Sequence, residues 1–336
     1  MTPHPGISIL LPVYFPVSSA KAVLQLKSAI DSIFIQNYGG DLEVIVIDDG
    51  SPTPIAHYRD DLGHPDKVIR ILRLARNRGI VFALNQGLRQ ATHGFIARID
   101  ADDRWLPTKL DKQMRLFQAD PGLSIVGTGM TRVSEAGNII DQHIRPADWN
   151  ALLRFFHEVG CPFPHGSILA RREVYRILGG YSYDALYRHC EDFALWGLWL
   201  RFFKATMVEE ALYEYRVGSQ SISALHAAQQ HNVSLFIRQK FASLGLSDTL
   251  SVALPAFASH LGIGLIDAGR LAYTIWDNPK ATFSLPKLAL PYLSAILPDC
   301  SLIEVPASKG WQWWEKLDIP YKQGLILNNV SARPVL

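Results

Sequence analysis

Short, largely apolar segments alternate with longer amphipathic ones up to about residue 120. The apolar runs predict buried strands at Ile7–Leu11, Glu43–Ile47, Val68–Leu74 and Phe95–Ile99. Apolar residues at helical spacing predict helices over Ser19–Gln36, Gly79–Ala91 and Pro107–Gln118. This order of strand, helix, strand, strand, helix, strand and helix is typical of an α/β domain with a mostly parallel sheet flanked by helices.

Beyond about residue 120 the pattern becomes mixed. Strands are predicted at Ser124–Met130 and Gly166–Arg171, with a hairpin partner at Thr131–Ile140. Helices are predicted at Trp149–Val159, Arg172–Leu178 and Asp192–Phe203. From about His226 onward the chain is mostly helical with scattered prolines. We therefore expect an α/β domain over residues 1–225 and a helical C-terminal extension over residues 226–336.

The composition indicates a globular protein, with 48% hydrophobic and 19% charged residues. A net charge of +2 argues against nucleic acid as a partner. Cys161, Cys190 and Cys300 are odd in number and far apart, which predicts neither a disulfide framework nor a structural zinc site. This cysteine usage and the absence of a signal-peptide pattern favour a reducing, cytoplasmic location.

Two C-terminal features bear on membrane contact. The apolar stretch Thr249–Ile266 reaches spanning length only marginally and contains Pro255, so it predicts a buried or interfacial helix. The tryptophans Trp311, Trp313 and Trp314 have three interpretations: an anchor at the membrane surface, a stacking site for sugar, or packing in a helical core. The protein could therefore be peripheral to the inner face of the membrane.

Three aspartates, Asp100, Asp102 and Asp103, directly follow the fourth predicted strand. Carboxylates this close repel one another, and a divalent cation relieves the repulsion. Magnesium-type ions take one or two protein carboxylates and fill their remaining positions with water and substrate phosphates. The cluster therefore predicts a metal-diphosphate site, and the alternative is a solvated acidic turn that caps the next helix.

The predicted topology favours the ligand site. In open α/β sheets, ligands bind outside the carboxyl ends of the strands. Pro12-Val13-Tyr14 ends the first strand, Asp48-Asp49 the second and Asp100–Asp103 the fourth. Both acidic clusters are thus expected at the same edge of the sheet.

Four blocks of residues follow one another along the chain. They are Pro12-Val13-Tyr14; Ser32–Gln36 with Glu43–Ile47 and Asp48-Asp49-Gly50-Ser51; Asn77, Gly79, Ala83, Asn85, Gly87, Ala91 and Gly94 with Asp100–Asp103; and His165-Gly166-Ser167, Gly179-Gly180-Tyr181, Glu191-Asp192 and Leu195-Trp196. In this order and spacing the blocks resemble the family 2 glycosyltransferases with the GT-A fold. The resemblance covers roughly residues 6–223. It implies a GT-A fold with a Rossmann-like sheet.

The resemblance also implies an activity. A nucleotide-sugar donor (UDP-sugar favoured) would transfer its sugar, with inversion, to a hydroxyl of a saccharide or lipid-linked acceptor in cell-surface polysaccharide or glycolipid biosynthesis. A divalent metal, Mn²⁺ or Mg²⁺, would neutralise the departing diphosphate. A carboxylate would accept the proton of the attacking hydroxyl.

Site roles follow from the matched positions. The resemblance places the donor against Pro12, Val13, Tyr14, Asp49, Asn77, Asp100, Ala101 and Asp102. It makes Asp102 the first choice of metal ligand and Asp103 the second.

On the acceptor side, the resemblance implies Asp192 as catalytic base with Glu191 beside it. The alternative for this pair is that acidic residues in a first helical turn complement the helix dipole. His165, Gly166 and Trp196 would line the acceptor side. Arg98 has two interpretations: a contact to phosphate, or a solvated residue of the strand.

Departures from the family pattern bear on the metal. Phe15 stands where many relatives carry Asn, and Gly218 stands where many carry a His that approaches the metal or diphosphate. His226 is the candidate substitute, and Arg216 is a candidate contact for the diphosphate. The Gln-x-x-Arg-Trp motif of processive synthases is missing, which favours addition of one or few sugars.

Two other functional classes remain as alternatives. A non-catalytic member would bind a nucleotide sugar or a partner protein, and loss of one acidic pair would be its signature. A nucleotidyltransferase would carry a glycine-rich, basic loop after the first strand, whereas Pro12–Ser19 has neither glycine nor basic residue. The extension is expected to serve the acceptor, a homodimer contact or the membrane surface.

Overall fold

A computed structural model describes residues 4–64, 68–218, 225–242, 250–278, 282–283, 285–297 and 327–328. The first half of the α/β part consists of β1 Ile7–Val13, α1 Ala20–Phe34, β2 Leu42–Asp48, β3 Ile69–Arg73, α2 Ile80–Gln90, β4 Phe95–Arg98, β5 Arg104–Trp105 and α3 Lys109–Ala119. The second half consists of β6 Ile125–Ser134, β7 Ile139–His143, α4 Trp149–Glu158, β8 Leu169–Arg171, α5 Arg172–Leu178, α6 Glu191–Phe202 and β9 Ala205–Val217.

These nine strands form one sheet in the order β3-β2-β1-β4-β8-β6-β9-β5, with β7 paired to β6. The strands β3, β2, β1 and β4 are parallel, as the sequence predicts. The strand β8 is antiparallel to both β4 and β6, and β5 is antiparallel to β9. The parallel half therefore presents its carboxyl ends beside a mixed half contributed by later parts of the chain.

Most predicted elements are confirmed, with local corrections. The predicted hairpin partner at Thr131–Ile140 is wrong in its first half, because residues 131–134 continue β6 in register with β9. His165–Ser167 form a 3₁₀ turn after Pro164, so the predicted strand begins only at Leu169. The long strand β9 was not predicted as an element. Its register with β6 is irregular, and buried and exposed residues do not alternate regularly along it.

Two apolar cores lie on opposite faces of the sheet. Phe95 and Ala97 of β4 join the core that contains α1 and α3, whereas Ile96 joins the core beneath α2, α5 and α6. This alternation follows from the two-residue repeat of a strand. It continues at Arg98, whose side chain is expected on the α6 face.

The described part of the extension consists of α7 Ala227–Ala242, α8 Leu250–Leu261, α9 Leu265–Asp277 and α10 Leu290–Ile296, with a short pair of β10 Thr282–Phe283 and β11 Leu327–Asn328. Leu254, Phe257 and Leu271 belong to the same apolar core as Trp196 and Phe202 of α6. The extension is thus packed onto the α/β part by a shared core.

The described residues of the apolar stretch Thr249–Ile266, predicted as a buried or interfacial helix, form all of α8 and the start of α9. Within the part of the chain that the structure describes, no single helix is long and apolar enough to cross a membrane. The pair α8 and α9 meets the length and composition criteria only together, and it is bent by 101°. Cys300, Trp311, Trp313 and Trp314 lie outside the described residues, so their interpretations stay predictions.

Candidate active site

The acidic turn after β4 separates its three aspartates into different environments. Asp103 is almost completely buried, at 1% exposure. The hydroxyl of Tyr213 and the backbone N–H of Arg216 donate to its two carboxylate oxygens, the latter at 2.8 Å. Burial, together with the charges of Asp100 and Asp102, raises the pKa of Asp103 well above its usual value. Its contacts fix the turn to β9 and leave neither oxygen turned to solvent.

Asp102 is the exposed member of the cluster. Its backbone oxygen accepts from Arg216 Nε at 3.1 Å. The side chain lies at the surface yet has protein around most of its carboxylate, and this partial desolvation, followed by repulsion from Asp100, raises its pKa to about 6. A cation placed here would offset that excess of negative charge.

A divalent ion fits this turn if most of its ligands come from outside the protein. No group of three or more His, Cys, Asp or Glu side chains among the described residues is arranged to hold a metal. One exposed carboxylate is, however, what a magnesium-type ion requires when it completes its shell with water and phosphate oxygens. Asp102 is the member of the cluster that satisfies this requirement.

Arg98 lies beneath the turn and is only 5% exposed. Both of its terminal nitrogens donate to the two carboxylate oxygens of Asp100. The interpretation of Arg98 as a solvated strand residue is therefore wrong. Asp100 keeps 30% of its side-chain surface exposed and can still meet a ligand.

Several of the residues predicted to bind the donor lie at the ends of β1 and β2. The N–H of Asp49 donates to Val13 O at 2.9 Å, which fixes the two strand ends together. Pro12 and Val13 are buried, whereas Tyr14 is 42% exposed. Tyr14 is thus the residue of this segment that faces solvent.

Asp49 organises the loop that follows β3. Its carboxylate accepts from the N–H groups of Arg78 at 2.9 Å and Gly79 at 2.8 Å, and burial raises its pKa. Gly50 has φ 73°, and a Cβ there would lie 2.3 Å from the backbone of Arg76. This close approach holds the exposed Asn77 next to the end of β2. Ala101 is half-buried in the acidic turn.

Phe15, the first predicted departure from the family pattern, is part of the core. It is 8% exposed, and its N–H donates to Ser51 Oγ at 3.0 Å. The segment after β1 is therefore tied to the turn after β2 through an apolar side chain and a backbone hydrogen bond.

The second acidic pair begins α6. Asp192 keeps 23% of its side-chain surface exposed, and its Oδ2 lies 3.9 Å from His165 Nδ1. Burial raises the pKa of Asp192, and the charge of Arg98 opposes that rise. Burial and then Asp192 itself raise the pKa of Glu191 to about 7. The two neighbouring carboxyls therefore titrate as a pair, in which each ionised group makes ionisation of the other less favourable.

His165 connects Asp192 to a buried aromatic group. Its Nε2 lies 2.7 Å from the hydroxyl of Tyr181, and its ring meets that of Trp196 edge-on at 5.9 Å. Burial and the charge of Arg98 hold the pKa of His165 well below its usual value, so the ring is neutral. Tyr181 is in turn fixed by Asn85, which bonds to both its N–H and its carbonyl.

The other two residues predicted on the acceptor side lie deeper. Trp196 is fully buried and supports the ring of His165. Gly166 is buried against Tyr213, and its carbonyl accepts from Trp105 Nε1 at 2.7 Å. In this structure His165 is thus the member of the three that reaches the surface, while Gly166 and Trp196 support it from below.

Gly218, which stands where a histidine is expected, and the two residues predicted to compensate for it lie in different parts of the structure. A Cβ at Gly218 would lie 2.8 Å from Glu135 Oε1, so that space is occupied by a carboxylate that pairs with Lys21. Arg216 is next to the acidic turn. The ring of His226 stacks on that of His189 at 4.1 Å between centroids. His189 lies two residues before the start of α6.

Sequence reasoning did not anticipate two site residues. The hydroxyl of Tyr213 holds Asp103, and the hydroxyl of Tyr181 holds His165. For Tyr213 the alternation Leu212-Tyr213-Glu214-Tyr215 would have indicated a strand. For Tyr181 nothing in the local sequence indicates that its hydroxyl turns towards a histidine.

Solved structures share this architecture. The mannosyltransferase PcManGT of Pyrobaculum calidifontis, determined with GDP-Man and Mn²⁺, has a TM-score of 0.53 and 21% identity over 88% of this chain and 86% of its own. Residues 1–349 of TarS from S. aureus, determined with UDP, give a TM-score of 0.50 and 15% identity over 78% of this chain and 80% of that one. At these identities the likeness shows the fold, and the GT-A fold is confirmed.

Sequence relatives point the same way. EpsE of Bacillus subtilis, which is named as a glycosyltransferase, is 29% identical over 78% of this chain and 91% of its own length. The O-antigen biosynthesis glycosyltransferase WbnJ of Escherichia coli is 28% identical over 66% of this chain and 86% of its own. Residues 8–178, half of the chain, match the family model described as glycosyl transferase family 2. The protein therefore belongs to glycosyl transferase family 2 and is a glycosyltransferase.

Proposed function

We propose that this glycosyltransferase inverts the anomeric centre, depends on a divalent metal, and moves a sugar from a nucleotide-diphosphate sugar to a hydroxyl acceptor. One observation carries the proposal. An exposed carboxylate after β4, that of Asp102, and a partly exposed one at the start of α6, that of Asp192, both interact electrostatically with the buried Arg98, although they belong to distant chain segments. The first is suited to a metal-diphosphate and the second to a proton acceptor.

The donor is assigned to the edge formed by β1, β2 and the acidic turn. Tyr14 and Asn77 offer exposed surface to the nucleotide, and Asp49 holds the loop that carries Asn77. Asp100 offers its exposed carboxylate edge to ribose or sugar hydroxyls while Arg98 fixes its orientation. The ligands named for the solved relatives, GDP-Man and UDP, support a nucleotide donor of this class.

Asp102 would hold the metal through its exposed carboxylate. When bound, a divalent cation acts as a Lewis acid that neutralises charge on the departing diphosphate. Asp103 serves by fixing the turn, since its oxygens are engaged by Tyr213 and Arg216.

The acceptor is assigned to the surface at Asp192. The ionised carboxylate takes the proton of the attacking hydroxyl, and the sugar leaves the diphosphate in a single displacement that inverts its configuration. Neutral His165 borders Asp192 and can accept or donate a hydrogen bond to a sugar hydroxyl without adding charge. The pKa of Glu191 is raised to about 7, so its partial protonation near neutral pH limits the negative charge beside Asp192.

The biological setting follows from the relatives. WbnJ is named for O-antigen biosynthesis, which supports a saccharide or lipid-linked acceptor in cell-surface polysaccharide or glycolipid biosynthesis. We place the reaction in the cytoplasm, at or near the inner face of the membrane. The extension over residues 226–336 would contact the acceptor, a second copy or the membrane surface.

The test begins with the donor. Thermal stabilisation is measured with UDP-, GDP- and dTDP-sugars with and without Mn²⁺, because a ligand stabilises the folded state in proportion to its occupancy. Transfer to saccharide acceptors is then followed, and the anomeric configuration of the product is read by NMR. Retention of configuration would contradict the single displacement.

Variants then separate the roles. Asp102→Asn should abolish the Mn²⁺-dependent stabilisation by donor, whereas Asp192→Asn should keep it and lower transfer by about 10²–10⁴-fold. Asp141→Asn, which breaks a surface pair with Arg132, is the matched control. Donor binding without transfer by the unmodified protein, unchanged in Asp192→Asn, would favour the non-catalytic alternative.

A further inference from the structure

The loop that leads into α6 carries large apolar side chains that are exposed. Its residues 182–188 follow Tyr181, which binds His165, and precede Asp192 by a few positions. Tyr183 is 59% exposed and Leu186 is 58% exposed. Single exposed apolar side chains are ordinary, but a group of them at one place indicates an interaction surface.

Aromatic contacts extend this loop surface to the neighbouring helices. On one side, the ring of Tyr183 lies 6.5 Å from that of Phe82 in α2. On the other side, the ring of Tyr187 lies 6.4 Å from that of Phe236 in α7, and Phe236 is 40% exposed. We name the area from Phe82 across residues 182–188 to Phe236 the entry surface.

The entry surface is held in place by α7. The ring stack of His189 and His226 joins the end of the loop to the residue before α7. Gln230 Nε2 donates to the carbonyl oxygen of His189 at 3.0 Å. The apolar side chains of the loop are therefore presented by a segment with fixed contacts, which reduces the entropy cost of binding.

The charges around the entry surface are mainly positive. Arg78, Arg188 and Lys240 are exposed, and the guanidinium of Arg78 lies 3.8 Å from the centre of the Phe82 ring. Lys240 lies one helical turn after Phe236 and donates to the hydroxyl of Tyr187. Residues 76–90 and α7 contain neither Asp nor Glu.

Carboxylates near the entry surface are few and already engaged. Asp184, the acid within the loop, accepts from the N–H of Leu186 at 2.9 Å. Asp192 keeps only 23% of its side-chain surface exposed and belongs to the acceptor side of the site. An anionic partner therefore meets cations at the margins of the entry surface and apolar side chains at its centre.

This combination favours a lipid bilayer over a second copy of the chain. Exposed aromatic and aliphatic side chains flanked by Lys and Arg are typical of surfaces that insert shallowly among anionic headgroups. In a two-fold dimer the same surface would face itself and bring its own cations together, which is unfavourable.

We propose that the entry surface docks this protein on an anionic lipid bilayer. Tyr183, Leu186 and Phe236 insert at the level of the headgroups, and Arg188 and Lys240 contact the headgroup phosphates. The inference deepens the proposed location at the membrane, and it rests on the proposed function for that location alone. Docking in this orientation places the surface at Asp192 beside the bilayer, where a lipid-linked acceptor presents its saccharide.

The experiment measures binding of the full chain to vesicles by co-sedimentation. The vesicles contain phosphatidylcholine alone or phosphatidylcholine with about 30% phosphatidylglycerol, which supplies the negative surface potential. The unmodified protein should bind the anionic vesicles about tenfold or more tightly than the neutral ones, and about 0.5 M salt should remove most of this difference by screening. Equal binding to both kinds of vesicle, or binding to neither, would overturn the proposal.

Two variants separate the apolar and the charged contributions. The combined change Tyr183→Ser, Leu186→Ser and Phe236→Ser should weaken binding to anionic vesicles about tenfold or more, because inserted apolar surface is lost. Its matched control replaces three exposed apolar residues on other elements and should bind as the unmodified protein does: Leu24→Ser, Ile139→Ser and Val252→Ser.

Arg188→Gln with Lys240→Gln should weaken binding to anionic vesicles about fivefold for each cation removed. Lys112→Gln with Arg115→Gln, which removes the same charge from α3, should have little effect. Equal weakening by the α3 pair would show that net charge, and not the entry surface, determines binding, and the proposal would fail.

Hydrogen exchange on the unmodified protein locates the contact without any variant. Residues 182–188 and α7 should exchange more slowly on anionic vesicles, whereas β7 should be unchanged. Protection confined to other segments would refute the docking surface even if the protein binds vesicles. Thermal unfolding verifies that each variant is folded, and if the combined apolar variant is not, Leu186→Ser alone and the exchange measurement decide.

Two further outcomes are distinguishable. Sedimentation velocity detects a dimer, and a dimer that the apolar variant dissociates, in a protein that binds no vesicles, would assign the entry surface to a second copy and overturn the proposal. Vesicle binding does not require sugar transfer. If the protein docks through the entry surface but no donor supports transfer, the proposed function fails and this inference stands.

Discussion

His165 Nδ1 lies 3.9 Å from Asp192 Oδ2, so a neutral imidazole borders the proposed catalytic base. The hydroxyl of Tyr181 fixes the other ring nitrogen at 2.7 Å. Which ring nitrogen carries the proton depends on this contact. These contacts join the turn after Pro164, the loop before α6 and α6 itself into one surface.

Replacing His165 by alanine should lower transfer about tenfold without moving the pH profile. The ring is neutral over the working range, so its removal takes away a hydrogen-bonding surface and no charge. Rates from pH 5 to pH 9 for His165→Ala and for the surface control His143→Ala provide the measurement. A profile shifted by His165→Ala would mean that the ring titrates during the reaction.

Replacing Tyr213 by phenylalanine should destabilise the protein by about 1–3 kcal/mol, because a buried carboxylate loses a donor. For a chain of this size each kcal/mol corresponds to a lowering of Tm by about 2–4 °C. Tyr183→Phe, at a side chain 59% exposed, is the control and should leave Tm within about 1 °C. An unchanged Tm in Tyr213→Phe would show that Asp103 is satisfied by Arg216 alone.

The buried lysine of α3 should make stability depend on pH. Lys109 is fully buried, donates to Gln113 Oε1 at 2.9 Å and lies 4.0 Å above the ring of Trp105. Burial holds its pKa well below the usual value. The unfolded chain therefore binds a proton that the folded chain does not, and stability falls as pH decreases from about 10.5 towards the lowered pKa.

Lys109→Met removes that proton uptake. The difference in Tm between Lys109→Met and the unmodified protein should be more positive at pH 6 than at pH 10, whatever its absolute sign. Lys112→Met, at an exposed lysine paired with Glu210, should show little such dependence. Parallel Tm curves for Lys109→Met and the unmodified protein would contradict the lowered pKa.

Gly166→Ala should destabilise the protein through a steric clash. A Cβ at Gly166 would lie 2.4 Å from the ring of Tyr213, and overpacking of this kind costs about 1–3 kcal/mol. The displaced Tyr213 would also disturb Asp103, so Mn²⁺-dependent donor binding should weaken with stability. Gly94→Ala, where a Cβ meets nothing within 4 Å, should leave both properties almost unchanged. Normal stability in Gly166→Ala would show that Tyr213 moves at little cost.

Phe257→Ala tests whether the extension and the α/β part unfold together. Phe257 of α8 is fully buried in the core that also contains Trp199 and Phe202 of α6. Its truncation should reduce the free energy of unfolding by about 3–5 kcal/mol and lower the Tm of a single unfolding transition. Val252→Ala, on the same helix at 66% exposure, should have little effect. Two separate unfolding transitions, with the Tm of only one of them lowered, would show that the α/β part and the extension unfold independently on either side of a boundary near residue 225.

The sequence alone determined the parallel half of the sheet and the edge at which the acidic clusters meet. Both depend on local patterns, namely the apolar run of each strand, the helical spacing between strands and the rule that ligands lie beyond their carboxyl ends. The strands β1, β2 and β4 and the turns that follow them could be predicted because each is specified within a few residues.

Only the tertiary structure distinguished the members of those clusters. Asp103 became a buried acceptor rather than a metal ligand candidate with a free oxygen because Tyr213 meets it from 110 residues away. Trp196 lies beneath His165 because it is on the face of α6 that packs into the core. Arg98 became buried because distant segments, among them those that carry Tyr181 and Tyr213, lie around it. Burial and charge pairing depend on which distant segments meet, and a periodic pattern within one segment contains no information about its partners.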